Sequence, residues 1–369
     1  MKIFHLSDIH LSSKNYDDFR FHFFKALKSD FQKNSINDDD LIVITGDLVD
    51  KGGHSLKEID DYKEGGFTCP YNFFEHVFIK PLIHEFNLKN DNFLFVPGNH
   101  DIDENEILWV DEKKMKEEIN LSTVNKYLIG NKSGINKTNK RIEKFKEFEK
   151  EFHSDSINYV FSYNESTYSY SSDKENLKIG FILLNDSWRC STCLVSNNEQ
   201  NLHFFGVKQL YHGLRELEPK LNNINICLFH HPLKDFAEVD EFEIILNNQE
   251  IQLYLFGHSH SLKYEKNIAP NPQSKCFGIM GKATLNDPRE NHKDYIPGYQ
   301  IIEIKEGKIS SIKHRIYSNK NQMFVANTDL APDNGVDYGD KRDGYLLIDS
   351  IKEIMSDDEI EDLDEKHFK

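Results

Sequence analysis

No stretch of the 369 residues approaches the ~18 consecutive apolar residues that a membrane helix needs. The apolar run within residues 1–8 is too short and too polar for a secretory leader. Cysteine is scarce. The five present cannot all pair, and their spacing is not that of a disulfide framework, so a reducing cytoplasm is the expected location. Cys190-Ser191-Thr192-Cys193 is a lone CxxC, and without a second pair it reads as incidental rather than as zinc or redox chemistry. There is no Gly-rich loop of the P-loop or dinucleotide-binding kind. Positive charge is also short, with 45 Lys and Arg against 62 Asp and Glu, a net charge of -17. The deficit is uneven: residues 329–369 carry 14 acidic and 5 basic side chains. Neither part looks built to grip long nucleic acid by counter-ion release. Internal repeats are absent as well.

What is present is a recurring pattern: a short apolar run, a turn, and a side chain able to bind metal. Residues 41–44 read as a buried strand broken by Thr45-Gly46, with Asp47 on the break. A carboxylate has two oxygens and can serve two cations at once, so Asp47 is read as a bridging ligand. The same pattern recurs at Asp8 and His10 after residues 3–6, and at Asn99 and His100 after residues 93–96. It appears again at His230 after 224–229, and at His258 and His260 after 251–256. Ligand sites in open α/β sheets lie at the carboxyl ends of strands. One His after one strand means little, but five such endings in order are not expected by chance.

Between these strands, helices are expected over residues 16–31, 71–87 (kinked by Pro81), 207–217 and 241–246. A hairpin is expected over 159–170, and further strands at 179–184, 276–280, 299–304 and 309–317. Residues 51–70 read as a loop or insertion. Residues 104–155, rich in Lys, Glu and Asn, read as a helical insertion whose charges form a solvated face. The domain expectation is one catalytic unit over 1–328, followed by an acidic extension, 329–369, that is partly mobile.

The string Asp8-x-His10, Gly46-Asp47-x-x-Asp50, Gly98-Asn99-His100-Asp101, His230 and Gly257-His258-x-His260 resembles the calcineurin-like metallophosphoesterase superfamily. The resemblance implies an α/β fold, a four-layer αββα sandwich of two mixed β-sheets flanked by helices. It also implies two divalent metal ions, manganese first, with iron, zinc or nickel as alternatives. On that analogy Asp8, His10, Asp47 and His260 hold one ion, and Asp47, Asn99, His230 and His258 the other. Such a pair clamps a phosphate oxygen and acidifies a bridging water, whose hydroxide attacks phosphorus. His100 matches the residue that assists the leaving group, Asp101 is placed to orient its imidazole, and Asp50 is read as a supporting residue.

Substrate is less sharply written. Val96-Pro97-Gly98-Asn99-His100-Asp101 and Ser7-Asp8-Ile9-His10-Leu11 are more similar to class III cyclic-nucleotide phosphodiesterases and repair nucleases than to phosphoprotein phosphatases. A phosphodiester or nucleotide is the expected substrate, with nucleic acid as the rival. A phosphomonoesterase and a non-catalytic assembly subunit are the remaining alternatives. His231, Trp188 and Arg189 are candidate substrate residues, by stacking on a base or pairing with a phosphate. No membrane partner is expected, and the helical insertion is a candidate surface for a second copy or a protein partner.

Overall fold

The computed structural model describes residues 1–129, 137–191, 203–248, 251–258, 276–285 and 296–338. Its strands are β1 (Lys2–Leu6), β2 (Leu41–Thr45), β3 (Phe93–Val96), β4 (Tyr159–Val160), β5 (Ser166–Ser172), β6 (Leu177–Leu183) and β7 (Ile224–Leu228). They continue with β8 (Leu253–Phe256), β9 (Phe277–Met280), β10 (Gly298–Lys305), β11 (Lys308–Ser318), β12 (Met323–Ala326) and β13 (Val336–Tyr338). Among the described residues they form two sheets. One runs β12-β11-β10-β1-β2-β3 with β13 paired to β11; the other runs β4-β5-β6-β7-β8-β9. Both are mixed. The β1-β2-β3 and β6-β7-β8-β9 pairs are parallel, whereas β1-β10-β11 and β4-β5-β6 are antiparallel.

The parallel strands are mostly apolar and almost wholly buried because both of their faces are covered. Alternate residues explain the layers. Ile3, Leu41, Val43 and Leu94 point toward the second sheet and meet Ile179, Phe181, Ile226 and Leu255. Phe4, Ile42, Ile44 and Phe95 point the other way, into an aromatic layer with Phe19, Phe31, Phe74 and Phe78 of the flanking helices. On the outer face of the second sheet, Ile182, Cys227 and Tyr254 pack on the helices Lys208–Leu217 and Val239–Asn248. The result is the expected four-layer αββα sandwich. None of the described helices is long and apolar enough to cross a membrane.

Two of the expected helices carry π-helical turns. The first runs Tyr16–Asp18, then the wide turn Phe19–Phe23, then Phe24–Lys33. In the second, Pro81 has no N–H to donate within the helical run, and the wide turn Glu75–Ile79 lies just before it, joining Pro70–Phe74 to Lys80–Phe86. Residues 51–70 contain a 3₁₀ segment, Lys51–Glu58, and a short helix, Asp60–Glu64. The sequence pattern does not predict β12 or β13. The latter lies within the segment read as an acidic extension, where buried His314 holds it through Asp337 at 2.8 Å. The first sheet thus takes in residues beyond 328. The acidic run after residue 357 falls outside the described residues.

The insertion is helical, with Trp109–Glu118, Val124–Ile129 and Glu143–Phe152. Its charges are not all solvated, which corrects the sequence reading. Glu112, Arg141, Lys146 and Glu149 are buried. Glu149 accepts from Tyr159 Oη (2.8 Å) and from Ser166 Oγ, and it pairs with Lys146 at 2.6 Å.

His153, just beyond the last of these helices, has no partner for either ring nitrogen among the described residues, and its ring lies flat on Tyr159 with centroids 3.8 Å apart. Burial, reinforced by the nearby Lys146, lowers its pKa from 6.5 to about 3. The folded value lies below the unfolded one, so the unfolded chain takes up the proton first. The stability contributed by the neutral ring is therefore full above pH 6.5 and is lost as pH falls toward 3, by about 2 kcal/mol at pH 5. His153→Phe removes that liability. Its melting temperature should exceed the parent's by several degrees more at pH 5 than at pH 8. An equal gap at both pH values would contradict this account.

Candidate metal centre

The carboxyl ends of β1, β2, β3, β7 and β8 point to one place, and each delivers its side chain through a sharp local bend. Asp8 (φ 51°), His10 (φ 48°), Asp47 (φ 55°) and His258 (φ 72°) all sit in the left-handed region, which costs a non-glycine residue about 1–3 kcal/mol. Four such residues in one cluster mark a place where the surroundings hold the backbone against its preference. The bends are laced together by Asp8 N–H to Gly46 O (3.1 Å), His10 N–H to Asp47 O (2.8 Å) and Gly257 N–H to His230 O (2.9 Å). Two glycines make the approach possible. Gly46 has φ 93°, and a Cβ there would lie 2.3 Å from His230 Nδ1; a Cβ on Gly257 would lie 1.8 Å from Ser7 Oγ.

Asp47 stands in the middle. Its Oδ1 accepts the His100 N–H at 2.7 Å. Its Oδ2 faces His10 Nε2 at 3.5 Å on one side and His230 Nε2 at 3.3 Å on the other. Beside His10, Asp8 Oδ1 lies 3.7 Å from the same Nε2. Beside His230, Asn99 Oδ1 is 3.0 Å from Nε2, and His258 Nδ1 is 2.9 Å from Asn99 Oδ1 and 3.3 Å from His230 Nε2. Ligand-capable atoms group within 4.8 Å as Asp8, Asp47 and His230, as His10, Asp47 and His100, and as His230, His231 and His258. His260 lies outside the described residues.

The donor chemistry of this cluster fits a divalent cation. His230 Nδ1 donates to the Thr45 carbonyl at 2.7 Å, which leaves the lone pair of the neutral ring on Nε2, aimed at Asp47 and Asn99. Lone pairs and a carboxylate crowded within about 3.3 Å require positive charge among them. Burial acts to lower the His230 pKa, but the carboxylates of Asp47, Asp8 and Asp186 outweigh it and carry the metal-free group up to about 10, so without a cation a proton on Nε2 supplies the positive charge that a bound metal ion would replace. Burial likewise acts to raise Asp47, and His230 and His10 overcome it and hold the carboxylate well below its usual range. Burial and His230 lower His258 to about 4.

His100 lies at the edge of the cluster, a quarter exposed, edge-on to His10 with centroids 4.5 Å apart. Its Nδ1 meets Asp50 Oδ1 at 2.8 Å. Burial acts to lower its pKa, and the Asp50 hydrogen bond with the Asp47 charge raises it instead. The partner of the imidazole is therefore Asp50 and not Asp101, which corrects the sequence reading. Asp101 is buried with its carboxylate turned back to accept the N–H groups of Gly98 (2.9 Å), Leu48 (3.1 Å) and Val49 (3.2 Å). It staples the loop after β3 to the loop after β2. Burial and the Asp47 charge push its pKa up to about 7.

The three candidate substrate residues are all turned inward. Trp188 is buried among Met115, Ile119, Val124 and Leu128, with Nε1 donating to Phe205 O at 2.9 Å, so its ring has no free face for a base. Arg189 has a side chain 9% exposed, and its Nε donates to Glu112 at 2.9 Å. His231 is fully buried, with Nδ1 on Asp186 at 2.8 Å and Nε2 3.8 Å from Cys190 Sγ. Asp186 itself went unassigned in the sequence. It accepts from the N–H groups of both His230 and His231, and its signal was the same as the others, an acidic residue just past a buried strand.

The family model described as calcineurin-like phosphoesterase matches residues 1–262. The chain belongs to the calcineurin-like phosphoesterase family. Members act on phosphoesters with the help of divalent metal ions, and the Asp, His and Asn side chains gathered here are of the kind that hold them. Among curated proteins, this calcineurin-like chain is 24% identical over 302 residues to the "Uncharacterized metallophosphoesterase-like protein YydB" of Bacillus subtilis, covering 78% of this chain. It spans about half (54%) of that relative's length. Solved structures similar in fold include Vps29 of Entamoeba histolytica complexed with zinc (TM-score 0.34, 10% identity, 86% of this chain and 94% of that one). Another is PhoD (TM-score 0.44, 11% identity, 86% of this chain and 66% of that one).

Proposed function

We propose that this protein is a dinuclear-metal phosphoesterase that hydrolyses a phosphodiester or nucleotide substrate in the cytoplasm. The observation that carries this reading is the position of Asp47, whose one carboxylate faces His10 with Asp8 on one side and His230 with Asn99 and His258 on the other. Asp8, His10 and Asp47, joined by His260 on the family pattern, would hold one ion; Asp47, Asn99, His230 and His258 would hold the second, with manganese the first choice. Bound there, divalent ions polarise a phosphoryl oxygen and acidify water. The chain's own residues do the rest. His100, kept in orientation by Asp50 and by its N–H on Asp47, stands beside the cluster with a proton for the leaving oxygen. The preference for a diester rests on the sequence around Asn99 and Asp8, which is similar to phosphodiesterases and repair nucleases.

The test is Mn²⁺-dependent hydrolysis of bis-p-nitrophenyl phosphate beside the monoester p-nitrophenyl phosphate, with His258→Ala as control. Diester turnover that the control loses is the expected result. Turnover of the monoester alone would replace the phosphodiesterase reading with a phosphatase.

A further inference from the structure

Residues 184–190 follow β6 without helix or strand, yet every part of this segment is restrained. Asp186 is fully buried, and its carboxylate accepts from the N–H of His230 (3.2 Å), the N–H of His231 (2.7 Å) and His231 Nδ1 (2.8 Å). Those bonds set the direction in which the chain leaves β7. That direction in turn decides whether His230 Nε2 points at Asp47. Cys190 closes the loop from the other end, with Sγ 3.8 Å from His231 Nε2.

Gln209 holds Asn185 (3.1 and 2.9 Å) and the Pro97 carbonyl accepts from Ser187 Oγ (3.2 Å), while the restraints on residues 188–190 come mainly from the helical insertion. Trp188 packs against Met115, Ile119, Val124 and Leu128 of its helices. Arg141, itself 2% exposed, donates to the carbonyls of Arg189 (3.0 Å) and Cys190 (2.9 Å) and pairs with Glu112. The second oxygen of Glu112 takes Arg189 Nε at 2.9 Å. Two guanidinium groups and a carboxylate are thereby drawn out of water. A buried arrangement of that kind is commonly no more stable than an apolar one, so stability alone does not account for it, whereas the geometry it imposes on residues 189 and 190 does.

We propose that the helical insertion, through Arg141 and Glu112, sets the shape of residues 185–190, and that Asp186 within that segment is the positioning residue that fixes His230 and His231 for the metal centre. This rests on the metal-centre reading above. Asp186 touches neither substrate nor the expected metal ligands' side-chain donors; it acts through the main chain of His230 and the ring of His231.

The experiment is Mn²⁺ titration of the full chain by calorimetry, with electron paramagnetic resonance to count tight and weak ions. The variants are Asp186→Asn, Arg141→Met and the double variant. Asp186→Asn is isosteric, and Arg141→Met leaves Glu112 paired with Arg189, so neither strands a buried charge. The parent should bind two Mn²⁺ ions. Asp186→Asn should bind one of them about 10–100-fold more weakly, the usual effect of losing a group that orients a ligand. Arg141→Met should shift the same ion, and the double variant should fall short of the summed effects, because both act through one segment. Circular dichroism and melting in a chelator check that folding is retained. Folded variants that bind both ions as the parent does would overturn the proposal, as would fully additive effects. A parent that binds no Mn²⁺ would overturn the metal-centre reading and this inference with it, which distinguishes the two failures.

Discussion

Asp47→Asn is expected to lower phosphoesterase activity by at least ~10³-fold, equivalent to about 4 kcal/mol of transition-state stabilisation. The substitution is nearly isosteric, and Oδ1 can still accept the His100 N–H at 2.7 Å, so the loop after β3 keeps its anchor. What is lost is the charge on Oδ2, which faces His10 at 3.5 Å and His230 at 3.3 Å. Removing it weakens both halves of the centre together, whereas losing His258 or Asn99 weakens one. The measurement that separates these cases is metal content with thermal stability. A ligand that binds the native state a hundredfold above its Kd adds about 2.7 kcal/mol. Mn²⁺ should therefore raise the melting temperature of the parent and leave that of Asp47→Asn close to its value in chelator. Two tightly held ions in the variant would remove Asp47 from the bridging role.

Much of this centre was legible in the sequence because its parts follow a local rule. A parallel strand buried on both faces is a short apolar run, and a ligand set at its carboxyl end is the next polar residue after a break. Asp8, Asp47, Asn99, His230 and His258 obey that rule, and the structure brings those five together with His10. What the sequence could not carry was orientation among neighbours. Asp50 and Asp101 are both near His100 in any reading, but only the path of the loops decides that Asp50 reaches Nδ1 while Asp101 folds back onto three amides. Trp188 and Arg189 were misplaced for the same reason. A residue just after a strand points to the site or away from it according to what covers the segment, and here the covering layer is the insertion. Its buried Glu112 and Arg141 could not be told from a solvated face, because Lys- and Glu-rich helices carry charges on every side and the period does not say which side finds a partner.

The role of His100 can be separated from mere electrostatic support by changing the leaving group. Its ring is a quarter exposed at the edge of the cluster, and its Nδ1 is committed to Asp50 at 2.8 Å, so the nitrogen available to a substrate is Nε2. A proton delivered there matters most when the departing oxygen is a strong base. With an alkyl or nucleoside leaving group, His100→Ala should slow turnover by roughly 10²–10⁴-fold. With p-nitrophenolate, which departs as a stable anion without a proton, the loss should shrink to about tenfold or less, consistent with Brønsted behaviour. Metal content should be unchanged in both cases. Asp50→Asn should give a smaller loss with the same dependence on the leaving group, because it frees the ring without removing it. The double variant should be no slower than His100→Ala, since residues acting as a unit are not additive. Asp101→Asn should behave differently, lowering the melting temperature through its three backbone amides with no dependence on the leaving group. An equal loss with both classes of substrate would show that His100 stabilises charge at phosphorus and does not protonate the leaving oxygen.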